Sequence, residues 1–269
     1  MLMAAPRVTV LIGSFNNGAT LAAGIDAILA QTVEDLELIV VDDGSTDETV
    51  AITERAAAAD PRVRLLSMGR NVGISTSLNA GVNAARAPIV AIQDADDVSA
   101  PERLERQLEV LDARSEVAVV GSRLHEVGPD GEPFASRTAF VAGDVNDVLL
   151  RFNPIPNTSA AFRRDRVLDV GGYDARYRYA TEYDLWLRLA DRWVLHALDE
   201  PLATRLMSGV NVAARAERAQ TAEALQIRAR TLRRRRSLRG ARGLVLPAIS
   251  YVTPIRLKQA RRRRLGQAP

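Results

Sequence analysis

The 269-residue chain has no cysteine, only two histidines (His125 and His196) and a single lysine, Lys258. Without cysteine, disulfide scaffolds, zinc fingers, iron–sulfur centres and thiol nucleophiles are excluded, and the composition fits a reducing cytoplasm. His125 and His196 stand apart in the sequence and read as core or surface residues. No apolar run approaches the roughly 18 residues of a membrane span. Residues 1–6 lack the charged-then-apolar start of a secretory signal. Gly13–Gly18 (GSFNNG) has neither the lysine of a P-loop nor the glycine spacing of a dinucleotide turn. No GxSxG elbow is present for a hydrolase triad.

What is there suits a sizeable core, with 47% hydrophobic and 26% charged residues, enough for one domain of about 200 residues with an appendage. Charge is unevenly divided. Residues 214–269 carry 16 Arg and Lys against 2 Asp and Glu, an excess of +14, while residues 1–213 hold 20 against 31, or −11. An acidic body over 1–213 and a basic extension over 214–269 follow from that split. There is no internal repeat.

The body alternates between short β-branched runs and helical spacing. Strands are expected over 7–13, 36–41, 62–67, 88–93 and 117–121. Helices are expected over 20–30, 46–59 (capped by Ser45 or Thr46), 74–85 and from Pro101 onward. This βαβαβαβ order predicts an α/β fold with a doubly wound, mostly parallel sheet buried on both faces. Ligands of such sheets bind beyond the carboxyl ends of the strands. Two acidic clusters fall there, Asp42-Asp43-Gly44-Ser45 and Asp94-Ala95-Asp96-Asp97. Asp-Gly pairs also make ordinary turns, but two clusters after two strands of one sheet point to a nucleotide site. Crowded carboxylates need a positive partner, and Asp-x-Asp suits Mg²⁺ or Mn²⁺ carrying phosphate oxygens.

Residues 8–32, 36–49, 71–85, 89–107, 153–174 and 180–190 resemble the inverting family 2 glycosyltransferases of GT-A fold, in register from about Val8 to about Met207. The resemblance implies a nucleotide-diphosphate sugar donor (a UDP-sugar is favoured), a divalent metal, and transfer to a glycan or lipid-linked acceptor hydroxyl. By position it assigns Asp42 and Asp43 to the donor's nucleoside and Ser14, Phe15 and Asn16 to the base. Arg70 and Asn71 would flank the donor. Asp94 would face the ribose or metal-bound water, Asp96 would hold the metal, and Asp97 would cap the following turn. Asn157 and Trp186 fall on the acceptor side, although Trp186 also has the helical spacing of a core residue. The family's Glu-Asp pair is here Thr181-Glu182. Glu182 is therefore the expected base, with Asp184 as its rival. The altered pair leaves a catalytically inactive sugar-nucleotide-binding or membrane-scaffold protein as the alternative.

The extension reads differently. Residues 213–236 have helix-forming composition, and Arg233–Arg236 and Arg261–Arg264 bracket the short apolar stretch 243–255. Such an arrangement is expected to touch an anionic membrane surface, placing the protein in the cytoplasm and peripherally on the inner membrane face. With so few aromatics among the arginines, specific nucleic-acid binding is not expected. The oligomeric state is not legible.

Overall fold

A computed structural model describes residues 5–128, 131–133, 139–206 and 210–236. Strands β1 (Val8–Ser14), β2 (Leu36–Asp42), β3 (Val63–Ser67) and β4 (Ile89–Asp94) are joined by helices α1 (Leu21–Leu29), α2 (Thr49–Ala59) and α3 (Ile74–Ala84). These four strands pair in parallel in the order β3-β2-β1-β4, as the alternation predicts. The expected cap of α2 is displaced. The helix begins only at Thr49, whose N–H bonds Asp47 Oδ1 at 3.0 Å, because Ser45 and Thr46 are engaged by Asn16 instead.

Beyond β4 the sheet continues through five further strands, one of them expected from the sequence at 117–121. These are β5 (Asp97–Ser99), β6 (Val117–Val127), β7 (Gly143–Asp144), β8 (Ala161–Arg163) and β9 (Val194–Leu206). Strand β8 lies antiparallel between β4 and β6, β9 runs parallel to β6, and β5 and β7 pair antiparallel with β9. The long ladders are thus parallel and the short ones antiparallel. Helices α4 (Arg103–Ala113), α5 (Arg164–Asp169), α6 (Thr181–Leu189) and α7 (Val210–Arg235) complete the fold.

The period of two along each strand divides the core in two. Val8, Val10 and Ile12 face α1 and α4, while Leu11 and Ile39 face α3, α6 and α7. All five side chains are fully buried, each worth roughly 2 kcal/mol. Register then aligns the functional edge: Ser14 lies opposite Asp42 and Gly13 opposite Asp94. Both acidic clusters therefore emerge on one side of the sheet.

Candidate active site

The loops after β1, β2 and β3 enclose a cleft of about 620 Å³ lined by Ser14, Phe15, Asp43, Asn71, Ile74 and Tyr179, among others. Phe15 is 45% exposed there, an apolar face presented to a polar opening and a natural stacking surface for a planar base. Asp43 lines the cleft and also accepts the N–H groups of Val72 (2.7 Å) and Gly73 (3.0 Å), tying the β2 loop to the β3 loop. Asp42, expected beside it on the nucleoside, instead turns inward. It is 2% exposed, and its two oxygens accept from Gly44 and Ser45 of its own turn. Unlike Asp43, it does not line the cleft. Gly44 has φ +80°, and a Cβ there would sit 2.5 Å from the Arg70 carbonyl carbon, so only glycine allows these two loops to touch.

Two further assignments need correction. Asn16 adopts φ +56°; its Oδ1 accepts from Thr46 and its N–H donates to the Ser45 hydroxyl. It staples two loops together, and Asn17 lines the cleft in its stead. Arg70 is exposed and contributes backbone packing under Gly44, whereas its neighbour Asn71 does line the cleft.

At the end of β4 the carboxylates separate by environment. Asp96 is exposed, Asp94 is part-buried and Asp97 is buried. The Asp94 N–H donates to Thr158 Oγ1 at 3.1 Å. Burial raises the pKa of Asp94, the nearby Asp96 charge adds to this, and a hydrogen bond from Asn157 works against it. Asn157 also accepts the Tyr173 hydroxyl at 3.0 Å and lies beside Asp94. Asp97 is no turn cap. It sits in β5 opposite Arg205 of β9, and burial together with the Asp94 charge pushes it up to about 7. Its Oδ2 has no hydrogen-bond partner among the described residues, with Arg205 Nε 3.8 Å away. Behind this cluster Arg103 is wholly buried and donates to Ile92 and Ala160 carbonyls and to Ser99. Burial pulls its pKa down to about 10.

Glu182, in the first turn of α6, completes the acidic pocket. Asn153 donates to its Oε1 at 3.1 Å, while burial, and then the Asp94 charge, push its carboxyl up to about 7. Burial and the charges of Glu182 and Asp94 also keep the Tyr173 phenol protonated. Asp184, the rival, points elsewhere: it is 4% exposed and pairs with Arg188 at 2.7 Å. Arg188 in turn donates to the Val170 and Gly172 carbonyls. Two residues along a helix place side chains on different sides, so only Glu182 joins the pocket. Trp186 is not on the acceptor side. It is fully buried, donates to the Ile155 carbonyl at 2.9 Å and packs on Phe162, which its spacing among Leu185, Leu187 and Leu189 explains. Arg103, Arg205, Tyr173 and Asn153 were missed; Arg205, Tyr173 and Asn153 come to the site from distant stretches of chain, and Asp97 was named but given the wrong role.

Helix α7 opens before the expected boundary at 214, and it is docked on the body. Ile227 is fully buried in the core, and Arg228 donates to the Tyr183 hydroxyl and the Arg151 carbonyl. Glu223 accepts the N–H groups of Arg178, Tyr179 and Ala180, the lip of the cleft and the start of α6. The apolar stretch 243–255 and Arg261–Arg264 lie outside the described residues. No helix among the described residues is long and apolar enough to cross a membrane.

Comparison with known proteins bears on this arrangement. The model of glycosyl transferase family 2 matches residues 9–172. The amylovoran biosynthesis glycosyltransferase AmsE of Erwinia amylovora is 29% identical over 184 residues, covering 67% of this chain and 68% of that protein. The chain spans about two thirds of the length of the curated relatives it matches. S. aureus TarS 1-349 in complex with UDP-GlcNAc is similar in structure, with TM-score 0.66 at 16% identity over 94% of this chain and 77% of that one. The mannosyltransferase PcManGT of Pyrobaculum calidifontis in complex with GDP-Man and Mn²⁺ has TM-score 0.61 at 19% identity, over 98% and 81%. At those identities the likeness is one of fold.

Proposed function

The chain belongs to glycosyl transferase family 2 and has the GT-A fold, and from that premise we propose that it transfers a sugar from a nucleoside-diphosphate sugar to an acceptor hydroxyl, with inversion, during cell-surface polysaccharide or glycolipid synthesis. The observation that carries this reading is the placement of Glu182 in the first turn of α6, bonded by Asn153 and beside the acidic end of β4, where burial raises its pKa. A base with its pKa near the working pH takes up a proton while still ionised enough to be available. The amylovoran relative supports the polysaccharide context, and the solved neighbours support a UDP- or GDP-sugar donor.

Phe15 stacks on the donor base, with Asp43 and Asn71 beside it in the cleft. Asn153 holds the Glu182 carboxylate toward the acceptor. As the acceptor oxygen bonds to the anomeric carbon, Glu182 takes its proton, and the bond to the diphosphate breaks on the opposite face. Among the described residues no three His, Cys, Asp or Glu side chains converge as a complete metal cage. The β4 end offers oxygen donors only, and one Asp97 oxygen has no hydrogen-bond partner among the described residues. That set fits a hard Mg²⁺ or Mn²⁺ whose remaining positions are filled by phosphate and water. Asp94 and Asp96 would hold it, and when bound it would offset charge on the leaving diphosphate.

Titration of the full chain with UDP, GDP and dTDP in Mn²⁺ tests donor binding, and one of the three is expected to bind. Proton NMR of the sugar first released from the matching donor reads the stereochemistry. A product retaining the donor's anomeric configuration refutes single displacement, and binding of no nucleotide refutes the donor site.

A further inference from the structure

A second pocket, of about 490 Å³ and lined by charged residues, lies between α6, α7 and the turn after Gly172. Five arginines line it: Arg176, Arg188, Arg230, Arg233 and Arg234. Two carboxylates share the lining, Asp174 and Asp184, leaving an excess of three positive charges. Both carboxylates are already committed. Asp184 is paired with Arg188, and Asp174 is held by Arg176, which keeps its carboxyl at about 2. Arg234 is drawn to Asp191 at 2.7 Å. Arg230 reaches Asp174 only at 3.7 Å and is half exposed, and Arg233 has no ion pair among the described residues.

Arg230, Arg233 and Arg234 fall at positions i, i+3 and i+4 of α7, so they share one face and repel one another. The helix C-terminus favours basic residues in its last turn, but that preference does not gather them around a concavity. Guanidinium groups at the mouth of such a pocket match a tetrahedral oxyanion, which accepts paired hydrogen bonds from planar forks.

We propose that this pocket is a second binding site, for a phosphate-bearing anion, separate from the nucleotide-sugar cleft and mechanically linked to it. The link is the segment 174–179. Asp174 and Arg176 line the arginine pocket, while Ala175, Tyr177, Arg178 and Tyr179 line the cleft. An anion that draws Arg176 and Arg230 from Asp174 loosens the inner end of this segment, whose outer end Glu223 of α7 holds through three backbone N–H groups. Occupancy of one side therefore alters the other. The anion has two sources, a soluble phosphate compound or a phospholipid headgroup at a membrane surface. The site itself stands whether or not the chain transfers sugar.

Calorimetric titration of the full chain with inorganic pyrophosphate, in EDTA to keep metal-bridged binding out of the cleft, tests the site. The double variant Arg230→Ala/Arg233→Ala removes two exposed side chains and is expected to fold. It should bind pyrophosphate at least about tenfold more weakly while keeping wild-type affinity for its nucleotide in Mn²⁺. No pyrophosphate binding by the wild type, or equal binding by the variant, overturns the site. Hydrogen exchange over 174–180 should change on adding pyrophosphate to the wild type and stay constant in the variant; an unchanged wild type overturns the link. Sedimentation with phosphatidylglycerol–phosphatidylcholine vesicles separates the sources. Vesicle binding that pyrophosphate displaces and the variant lacks assigns the headgroup, and vesicle binding equal in both proteins excludes it in favour of a soluble phosphate.

Discussion

Replacing Glu182 with glutamine preserves the size of the side chain and its acceptance from Asn153, but removes the charge. The folded chain holds this carboxyl at about 7, against an ordinary value of 4.5, chiefly because burial penalises its ionised form. Each pKa unit corresponds to about 1.4 kcal/mol. Ionising Glu182 in the folded state therefore costs about 3 kcal/mol, or about 2 kcal/mol once its partial contact with solvent is discounted. The sign follows from linkage. Below pH 4.5 the carboxyl is protonated in both folded and unfolded chains, and no penalty exists. As pH rises toward 7 the unfolded chain releases the proton first, so stability falls, and the loss is complete above the folded-state pKa. Glu182→Gln escapes this decline. At pH 8 it should be more stable than wild type by about 2 kcal/mol, roughly 4–8 °C in melting temperature, and at pH 4.5 the two should coincide. Its transfer rate should drop about 10²–10⁴-fold, the usual worth of a general base, with donor affinity kept. Thermal melts from pH 4.5 to 8.5 without donor, paired with turnover measurements, read both effects. Parallel melting curves across that range refute the buried-charge argument, and wild-type turnover in the variant refutes the assignment of the base.

Asp184→Asn leaves Arg188 without its carboxylate inside the fold, which should cost about 3 kcal/mol in denaturant melts. Turnover per folded molecule should be unchanged, and a loss of turnover at wild-type stability would transfer the base to Asp184. Asp96→Ala alters an exposed side chain and should shift stability by less than about 0.5 kcal/mol while abolishing Mn²⁺-dependent nucleotide binding; unchanged affinity by calorimetry rules out its metal role. Ile227→Ala opens a cavity in the core and should cost about 2–4 kcal/mol. A wild-type melting temperature for that variant would show that α7 is not docked.

The parallel half of the sheet was legible because its central strands bury both faces and its runs are mostly apolar, broken only by residues such as Thr9, Glu37 and Arg64. The rest of the sheet was not. Strand β6 runs on to Val127 through the polar residues of SRLHEV, which carry no strand signal alone and depend on pairing with β9. Strands β5 and β8 have three residues each, too few for any period to show. The same limit applies to the site. Asp94 and Asp96 stood out because they follow a strand of the sheet, whereas Glu182 was implied only by the resemblance. Asp42 and Asn16 were misread because a carboxylate or amide in a tight turn bonds its own loop as readily as a ligand. Arg205 is 108 residues from Asp97, and nothing local connects them. Only the β5–β9 pairing brings them face to face.

The charge division near residue 214 also takes on a different meaning once α7 is in place. A basic segment beyond an acidic body suggests an arm addressed to something outside the molecule. Much of its first helix is instead addressed inward. Arg234 and Arg235 neutralise Asp191, Arg228 satisfies a buried tyrosine hydroxyl, and the acidic Glu223 reaches back to cap the cleft lip. These interactions make α7 part of the folded body, since the segment that Glu223 holds leads directly into Glu182. Charge already paired internally attracts an outside partner less strongly than charge left over. The arginines left over, Arg230 and Arg233, are therefore more informative than the total excess, because they are gathered on one face, above one pocket, with too little carboxylate to balance them.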